Sequence, residues 1–433
     1  MGVRALVVGL GVTGRAVSRV LRADDWDVVV LEERIDEEKQ RAAAELGVRL
    51  VDKVDESVGP IALVVPSPGV PAGHKVFDAA VRAGVPVRSE IELAWQRAKA
   101  PLVAITGTNG KTTVTTLVTE MLEAAGARVV AAGNIGLPLV EAVVQDLDVV
   151  VAEVSSFQLR YTERFRPAIG VWLNFAEDHL DWHPTMGHYA AAKARLWANQ
   201  SGSDLAVGNA DDAVVRHALS GAKGRTQTFG SGAGADWRCE DGTLVGPPGA
   251  VLATAELPRA LPHDIENALA ACATAVGAGA PLEACRTVLR RFRGLPHRVE
   301  LVGDAGGVRF YDDSKATTPA SVLAALRGFP SVVLVAGGRN KGLDLGVLRQ
   351  EATRIRAVVA IGDAAEEVVA AFRGAAPVQQ ASTMDDAVRL ARAVARPGDA
   401  VLLSPGCASF DWYGSYAERG DDFRRAVREQ VGG

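Results

Sequence analysis

The sequence predicts an α/β protein of three successive domains. Short apolar runs alternate with segments of helical period from one end of the chain to the other. Glycine-bearing polar clusters stand just after those runs, as they do along the carboxyl rim of a parallel sheet. Aromatic residues make up only 5% of the chain while Ala, Val and Gly abound, which argues against a β-sandwich. A length of 433 residues suits two to four domains. The composition breaks place boundaries near residues 97 and 297, giving domains 1–97, 98–297 and 298–433.

Composition also excludes classes of function. The formal net charge is -5 and no Lys/Arg block stands out, so nucleic acid is not an expected partner. No apolar stretch is long enough to span a bilayer, so membrane insertion is not expected. The opening MGVRALVVGLGVTG has its apolar run broken by glycines and does not read as a signal peptide. Cys239, Cys272, Cys285 and Cys407 are scattered without metal-ligand spacing. Reduced thiols and a cytoplasmic location are expected.

The first domain opens with a strand, Ala5 to Val8, then Gly9-Leu10-Gly11-Val12-Thr13-Gly14, then a helix carrying Val17, Val20 and Leu21. A second strand, Asp27 to Leu31, ends in Glu32-Glu33-Arg34. This G-x-G-x-x-G turn with an acid about 20 residues on resembles a Rossmann fingerprint. A tight turn needed by any doubly wound sheet, or a different phosphate-bearing ligand, explains it equally. Strand Ile61 to Val65 leads to Pro66-Ser67-Pro68-Gly69. Val85 to Arg88 reads as a short strand. Ser89 reads as the N-cap of a helix Glu90 to Lys99, with Glu92 closing a capping box.

The second domain begins with Leu102 to Ile105, a buried strand, followed by Thr106-Gly107-Thr108-Asn109-Gly110-Lys111-Thr112-Thr113. Leu117, Val118, Met121 and Leu122 then recur at helical spacing. Strand, glycine-rich turn, Lys-Thr and helix form a phosphate-binding loop, although Ile105 stands where the first glycine of the common pattern belongs. Backbone N–H groups and the helix N-terminus can cradle a polyphosphate. Lys111 would neutralise the terminal phosphates and the Thr112 hydroxyl would ligate Mg²⁺. An ordinary turn before a helix is the plainer reading. Strand Arg128 to Ala132 delivers Gly133-Asn134-Ile135-Gly136. Strand Asp148 to Ala152 delivers Glu153-Val154-Ser155-Ser156-Phe157-Gln158, and Glu153 is a candidate Mg²⁺ ligand. Strand Ile169 to Leu173 delivers Asn174 through Asp181, with His179 inside it. Tyr189 to Leu196 is helical and carries Lys193. Residues 230 to 248 read as an irregular excursion. Helices follow over Asp264 to Val276, with Asn267, and over Pro281 to Arg291.

The third domain repeats the alternation. Strand Val308 to Tyr311 ends in Asp312-Asp313-Ser314-Lys315-Ala316-Thr317. Strand Ser331 to Val335 ends in Gly337-Gly338-Arg339-Asn340-Lys341. Strand Ala357 to Ile361 ends in Gly362-Asp363, and strand Ala400 to Leu403 ends in Ser404 through Asp411. Together the turns predict a Rossmann-like N-terminal domain, a central P-loop ATPase-type domain and a C-terminal Rossmann-like α/β domain.

Four stretches in this order, ITGTNGKTT, GNIG, EVSSFQL and NFAEDHLDWH, resemble the Mur ligase family. LPHRVE, DDSKATTP, GGRNKG and LLSPGCASFD extend the resemblance through the last third. It implies an ATP-dependent, amide-forming enzyme of peptidoglycan precursor synthesis that acts through an acyl phosphate and a tetrahedral intermediate. The short first domain and the DSKAT and SPxxAS forms are most similar to members that add D-glutamate to UDP-N-acetylmuramoyl-L-alanine. The resemblance implies ATP with two Mg²⁺ ions, held by Thr112, Glu153 and His179. It also makes Lys193, otherwise read as a surface lysine, a carbamylated metal-site residue. Catalytic positions are then Lys111, Glu153, His179 and Lys193.

By the same resemblance, ATP is bound by Gly107, Thr108, Asn109, Gly110, Lys111, Thr112, Thr113, Asn267, Arg298 and Asp313. The UDP-sugar substrate falls to Gly11, Val12, Thr13, Arg34, Gly69, Asn134 and His179. Glutamate falls to Lys315, Thr317, Lys341, Ser409 and Tyr416, where cations and hydroxyls suit a dicarboxylate. A monomer is expected. The alternatives are a related ligase using L-glutamate or folate, an NAD-dependent dehydrogenase built on Gly9 to Gly14, and a non-catalytic nucleotide-binding protein.

Overall fold

A computed structural model describes residues 3–55 and 58–431. Its strands form three sheets. The first holds β1 (Arg4–Val8), β2 (Asp27–Leu31), β3 (Arg49–Val51) and β4 (Leu63–Pro66), all parallel, in the order β3-β2-β1-β4. The second holds β5 (Leu102–Thr106), β6 (Val129–Gly133), β7 (Val149–Glu153), β8 (Ile169–Trp172), β9 (Leu205–Asn209), β10 (Arg225–Gly230), β11 (Trp237–Glu240), β12 (Thr243–Gly246) and β13 (Gly249–Ala253). Its order is β13-β12-β11-β10-β9-β8-β5-β7-β6. The third holds β14 (Glu300–Ala305), β15 (Val308–Asp312), β16 (Val332–Gly337), β17 (Ile355–Ile361), β18 (Val378–Gln380) and β19 (Ala400–Leu403), ordered β14-β15-β19-β16-β17-β18. Mixed α/β architecture with largely parallel sheets is what the alternating pattern predicted.

By internal contacts the chain divides into two compact units. One comprises Met1–Phe175, Trp182–Glu256 and Glu266–Arg291, and so holds the first two sheets. The other comprises Ala176–Asp181, Leu257–Ile265 and Phe292–Gly433, and holds the third.

The strand orders decide where each rim opens. In the first sheet β1 lies between β2 and β4, so the turn at Gly9 stands where strand order reverses. In the second, β5 lies between β8 and β7, which puts the turn at Gly107 at the same kind of crevice. In the third, β19 lies between β15 and β16. The turns after those three strands therefore share one rim. β5, β7 and β8 are buried along their full length, as strands covered by helices on both faces must be.

Four local expectations need correction. Residues 230–248 are not irregular: β11 and β12 form an antiparallel extension with β13, packed on buried Trp237 and Leu244. Their short, polar-rich strands hid the period-2 signal. Val85 to Arg88 makes a single bridge, Val64 to Val87, instead of a strand. β7 runs one residue further than its apolar stretch, so Glu153 is its last residue and lies beside Ile105 of β5.

The fourth correction concerns Glu92. Ser89 is the N-cap of the helix Glu90–Arg97, but its side chain caps no helix N–H. The Glu92 carboxylate is used elsewhere. It is fully buried and accepts from the backbone N–H groups of Glu163, Arg164 and Phe165 at 2.9–3.1 Å. Trp95 Nε1 donates to Arg166 O at 2.9 Å, and Ser89 N–H donates to Tyr161 O at 2.9 Å. Within the first unit this helix therefore ties the first sheet's chain to the second sheet. Removing the Glu92 carboxylate takes the acceptor from three backbone N–H groups, that of buried Phe165 among them. Glu92→Ala is expected to cost on the order of 2–4 kcal/mol in urea unfolding. A loss below about 0.5 kcal/mol would show that the clamp carries no stability.

Candidate functional site

The phosphate-loop region is shaped by backbone first. The helix Lys111–Ala124 starts at Gly110, which has φ +83°. A Cβ there would stand 2.6 Å from Asn267 Oδ1, so glycine is required both for the left-handed turn and for the close approach of Asn267. Asn174 staples the loop from β8's side. Its backbone oxygen accepts from Thr108 N–H at 3.1 Å, its Oδ1 accepts from Asn109 N–H at 2.8 Å, and its Nδ2 donates to Asn109 O at 3.2 Å.

Two lysines converge on this loop. Lys111 Nζ donates to Gly107 O and Thr108 O, both at 2.9 Å. Lys193 Nζ donates to the same Gly107 O at 2.8 Å and to Thr106 Oγ1 at 3.4 Å. Lys193 is 2% exposed and lies on the helix Met186–Ala194, with its Nζ 4.7 Å from the centre of the Tyr189 ring. The plain surface reading of Lys193 therefore fails. Thr108 Oγ1 and Tyr189 Oη share a hydrogen bond at 3.2 Å. Thr112 and Thr113 occupy the first turn of the helix.

Glu153 faces the same rim. Asn134 Nδ2 donates to Glu153 Oε1 at 2.9 Å, and Asn134 N–H donates to Glu153 O at 2.9 Å. Glu153 Oε2 is buried and has no hydrogen-bond partner among the described residues. A bare carboxylate oxygen in the interior is costly unless a cation meets it. The bare Glu153 oxygen thus fits a hard divalent ion.

At the first sheet's rim the fingerprint acid is spent on the turn itself. Glu32 Oε2 accepts from Leu10 N–H at 2.9 Å, and Lys39 lies 3.1 Å from Oε1. Burial pulls the Glu32 carboxyl upward, but these hydrogen bonds outweigh it and hold it below its ordinary value. Gly11, Val12 and Arg34 are exposed, Thr13 is half-buried, and Gly69 is exposed at the end of the Pro66–Gly69 turn. Gly14 could not be another residue, because a Cβ would lie 1.9 Å from Gly9 O.

In the second unit, the turn before β14 is strained. His297 and Val299 both have positive φ, +59° and +49°, which a β-branched residue almost never adopts. The turn is held by its neighbours. Arg259 Nη1 donates to Arg298 O and Val299 O at 2.8 and 2.7 Å, and Val299 N–H donates to Asp313 Oδ1 at 3.3 Å. Arg298 sits between the two strained residues. His297 Nδ1 meets Asp312 Oδ2 at 2.6 Å. His297, Glu300 and Asp312 come close enough to suggest a metal. However, the Arg424 guanidinium lies 2.9 Å from Glu300 Oε2 and 3.8 Å from Asp312 Oδ2, so a cation already serves them.

Asp313, Lys315, Thr317, Lys341 and Ser409 lie in turns that follow strands of the third sheet. Neither Asp312 nor Asp313 caps a helix; Thr318 performs that role for Pro319–Leu326. Ser404 Oγ donates to Asp313 Oδ2 at 2.7 Å. Arg419 is buried and donates to Ser314 Oγ, Ser314 O and Cys407 O, which fixes the two turns to each other. Lys315 Nζ lies 3.9 Å from the centre of the Tyr416 ring. Ser409 is buried beside Ala408, whose backbone pairs with Arg339 two residues before exposed Lys341. Thr317 is half-buried, and His179 lies in the short segment Ala176–Asp181 with φ +56°.

Sequence reasoning missed Asn174, Arg419 and the Ser155–Gln158 capping box, in which Gln158 N–H donates to Ser155 Oγ at 3.2 Å and Ser155 N–H to Gln158 Oε1 at 2.9 Å. The S-x-x-Q spacing was a legible signal for the last. Arg419 lies far along the chain from its partners, and no local pattern marks it.

Against known families, residues 3–89 match the Mur ligase MurD-like N-terminal domain, residues 105–275 the Mur ligase middle domain, and residues 297–407 the Mur ligase glutamate ligase domain. The chain is 44% identical to UDP-N-acetylmuramoylalanine--D-glutamate ligase from Frankia casuarinae, covering 100% of this chain and 95% of the relative. It belongs to the Mur ligase family. The ligase of the same name from Pelotomaculum thermopropionicum is 42% identical over 98% of this chain and 97% of its own. Among solved structures, a pseudomurein peptide ligase type C from Methanothermus fervidus shares the fold with TM-score 0.63 and 18% identity, covering 99% of both chains. The UDP-N-acetylmuramate-alanine ligase MurC from Thermotoga maritima does so with TM-score 0.60 and 18% identity, covering 99% of this chain and 100% of its own.

Burial raises the Asp313 carboxyl to about 7, with the neighbouring Asp312 adding to the effect and Ser404 opposing it. A carboxyl raised on folding stabilises the fold while protonated, so its contribution is lost as pH rises toward and through about 7. Asp313→Asn removes the charge, keeps an oxygen to accept from Val299 N–H, and reverses the other contact, its amide donating to Ser404 Oγ. The variant is therefore expected to gain roughly 1 kcal/mol or more over the wild type at pH 8 relative to pH 5 in chemical unfolding. Parallel pH curves for the two proteins would refute it.

Proposed function

We propose that this chain is an ATP-dependent, ADP-forming ligase that joins D-glutamate to UDP-N-acetylmuramoyl-L-alanine in cytoplasmic peptidoglycan precursor synthesis. The observation that carries the chemistry is the unpartnered buried Glu153 Oε2 beside the phosphate loop. The choice of substrate is supported by relatives 39–44% identical over at least 98% of this chain, which bear the D-glutamate ligase name.

In this reading the L-alanyl carboxylate attacks the γ-phosphorus of ATP, the bond to the β-phosphate oxygen breaks, and ADP leaves. The amine of glutamate attacks the acyl carbon, loses a proton, and phosphate departs from the tetrahedral intermediate. Crowded anions must be held in line while this happens. Residues Gly107 to Thr113 offer backbone N–H groups and a helix N-terminus to the phosphates, and Lys111 turns its ammonium from loop carbonyls to them. Asn267, Arg298 and Asp313 hold the rest of ATP. Thr112, Glu153, His179 and a carbamylated Lys193 would hold two Mg²⁺ ions, which would supply neutralisation of the crowded phosphate and carboxylate charge. Gly11, Val12, Thr13, Arg34, Gly69, Asn134 and His179 hold the UDP-sugar. Lys315, Thr317, Lys341, Ser409 and Tyr416 hold glutamate. The working molecule is a monomer of three domains, 1–97, 98–297 and 298–433.

ADP release should require UDP-N-acetylmuramoyl-L-alanine and D-glutamate together and be far slower with L-glutamate. Absence of turnover with every amino acid tried would sink the ligase reading, and NADH consumption would favour the dehydrogenase. Lys193→Ala should lose about 100-fold or more in kcat and recover in part with formate or acetate, which replace the carbamate oxygens. Full activity without rescue would remove the carbamate from the scheme.

A further inference from the structure

The helix Glu90–Arg97 carries a second buried acid that the chemistry above leaves unused. Glu90 is 1% exposed. Its Oε1 accepts from Val140 N–H at 2.6 Å, and Leu139 N–H and the Gln158 side chain face the same carboxylate. Val140 belongs to the helix Leu139–Ala142, which follows directly on the Gly133–Gly136 turn. Gln158 Oε1 in turn accepts from Ser155 N–H and Ser155 Oγ, both at 2.9 Å, two residues after Glu153. One carboxylate thus holds the segment after the β6 turn by a hydrogen bond and lies against Gln158 from the turn after β7. Those two turns meet at their tips in the Asn134–Glu153 hydrogen bond. Glu90 also lines a small cleft with Ser67, Pro68, Phe157, Gln158 and Trp182.

We propose that Glu90 is a positioning residue: by holding these two turns in register, its carboxylate sets the Asn134–Glu153 pair for the sugar-nucleotide substrate. The inference rests on the ligase reading above, in which that pair serves substrate and metal.

The hydrogen-bond inventory favours the ionised form. Val140 N–H donates to it, and Leu139 N–H and the Gln158 amide face it, so a protonated Glu90 would set a donor among donors. Burial nevertheless pushes the Glu90 carboxyl up to about 7. Nearby charges are engaged elsewhere. On its own helix Glu92 is taken by backbone N–H groups and Arg97 by Asp24. Glu141 pairs with Arg19 and opposes Glu90 ionisation. Arg88 pairs with Glu163, and Arg160 lies over the Tyr161 and Trp182 rings. The fold therefore loses stability as pH rises through about 7, in the interval where the turns gain their full set of partners.

The test is direct titration of UDP-N-acetylmuramoyl-L-alanine onto the full chain at pH 6 and pH 8, with turnover measured in parallel. With about a tenth of Glu90 ionised at pH 6 and about nine-tenths at pH 8, Kd should weaken by up to about ninefold at the lower pH. Glu90→Gln should bind at least as weakly as the wild type does at pH 6 and show no change between the two pH values. Its loss should fall on KM more than on kcat. Glu90→Asp keeps a titrating acid but shortens its reach, so its Kd should be weaker yet still pH-dependent; it decides the matter should Glu90→Gln not fold. Either variant matching the wild type at both pH values would overturn the proposal. No binding by the wild type at either pH would overturn the ligase reading, and the proposal with it.

Discussion

One carbonyl with two ammonium groups on it governs the centre of the second sheet. Gly107 O accepts from both Lys111 Nζ and Lys193 Nζ. Two like charges sharing one acceptor in a poorly solvated place repel, and the repulsion falls when an anion arrives or when one lysine changes sign. The loop is thus organised for negative charge before any ligand is present. Its other supports, Asn174 and the left-handed Gly110, only fix the backbone that the two cations hold.

That arrangement explains why the loop was legible in sequence and Lys193 was not. Gly-Lys-Thr after an apolar strand is a local pattern, and its geometry follows from neighbours in the chain. Lys193 lies some 80 residues on, in an Ala-rich helix where a lysine ordinarily reaches for water. Only the fold brings that helix against Thr106 and Gly107. Glu153 is intermediate: a polar residue ending an apolar run is visible, but its bare Oε2 depends on Asn134 from another strand taking just one oxygen.

The third sheet follows the same logic with a different device. Its three polar turns come after β15, β16 and β19, and their alternation with helices was readable. What joins them was not. Arg419, from the C-terminal helix, donates to Ser314 and to Cys407 O, and burial lowers this guanidinium to about 10. A buried arginine fully used by carbonyl and hydroxyl oxygens is a brace, and braces formed across a hundred residues leave no local signature. The strained His297–Val299 turn is held in the same way, by Arg259 and Asp313.

The fingerprint turn at Gly9 shows the opposite error, a strong local pattern with a meaning the structure changes. In a dinucleotide site the acid after the second strand keeps its oxygens for ribose hydroxyls. Here Glu32 gives Oε2 to Leu10 N–H and Oε1 to Lys39, so both oxygens are already engaged. The acid stiffens the turn that it was expected to serve. A dehydrogenase built on this turn would have to share its acid with Leu10 N–H and Lys39, whereas a ligand held through phosphate needs only the N–H groups at the start of Val12–Ala23. Spacing fixed the turn's shape in both cases, and the direction of one carboxylate favours the second chemistry.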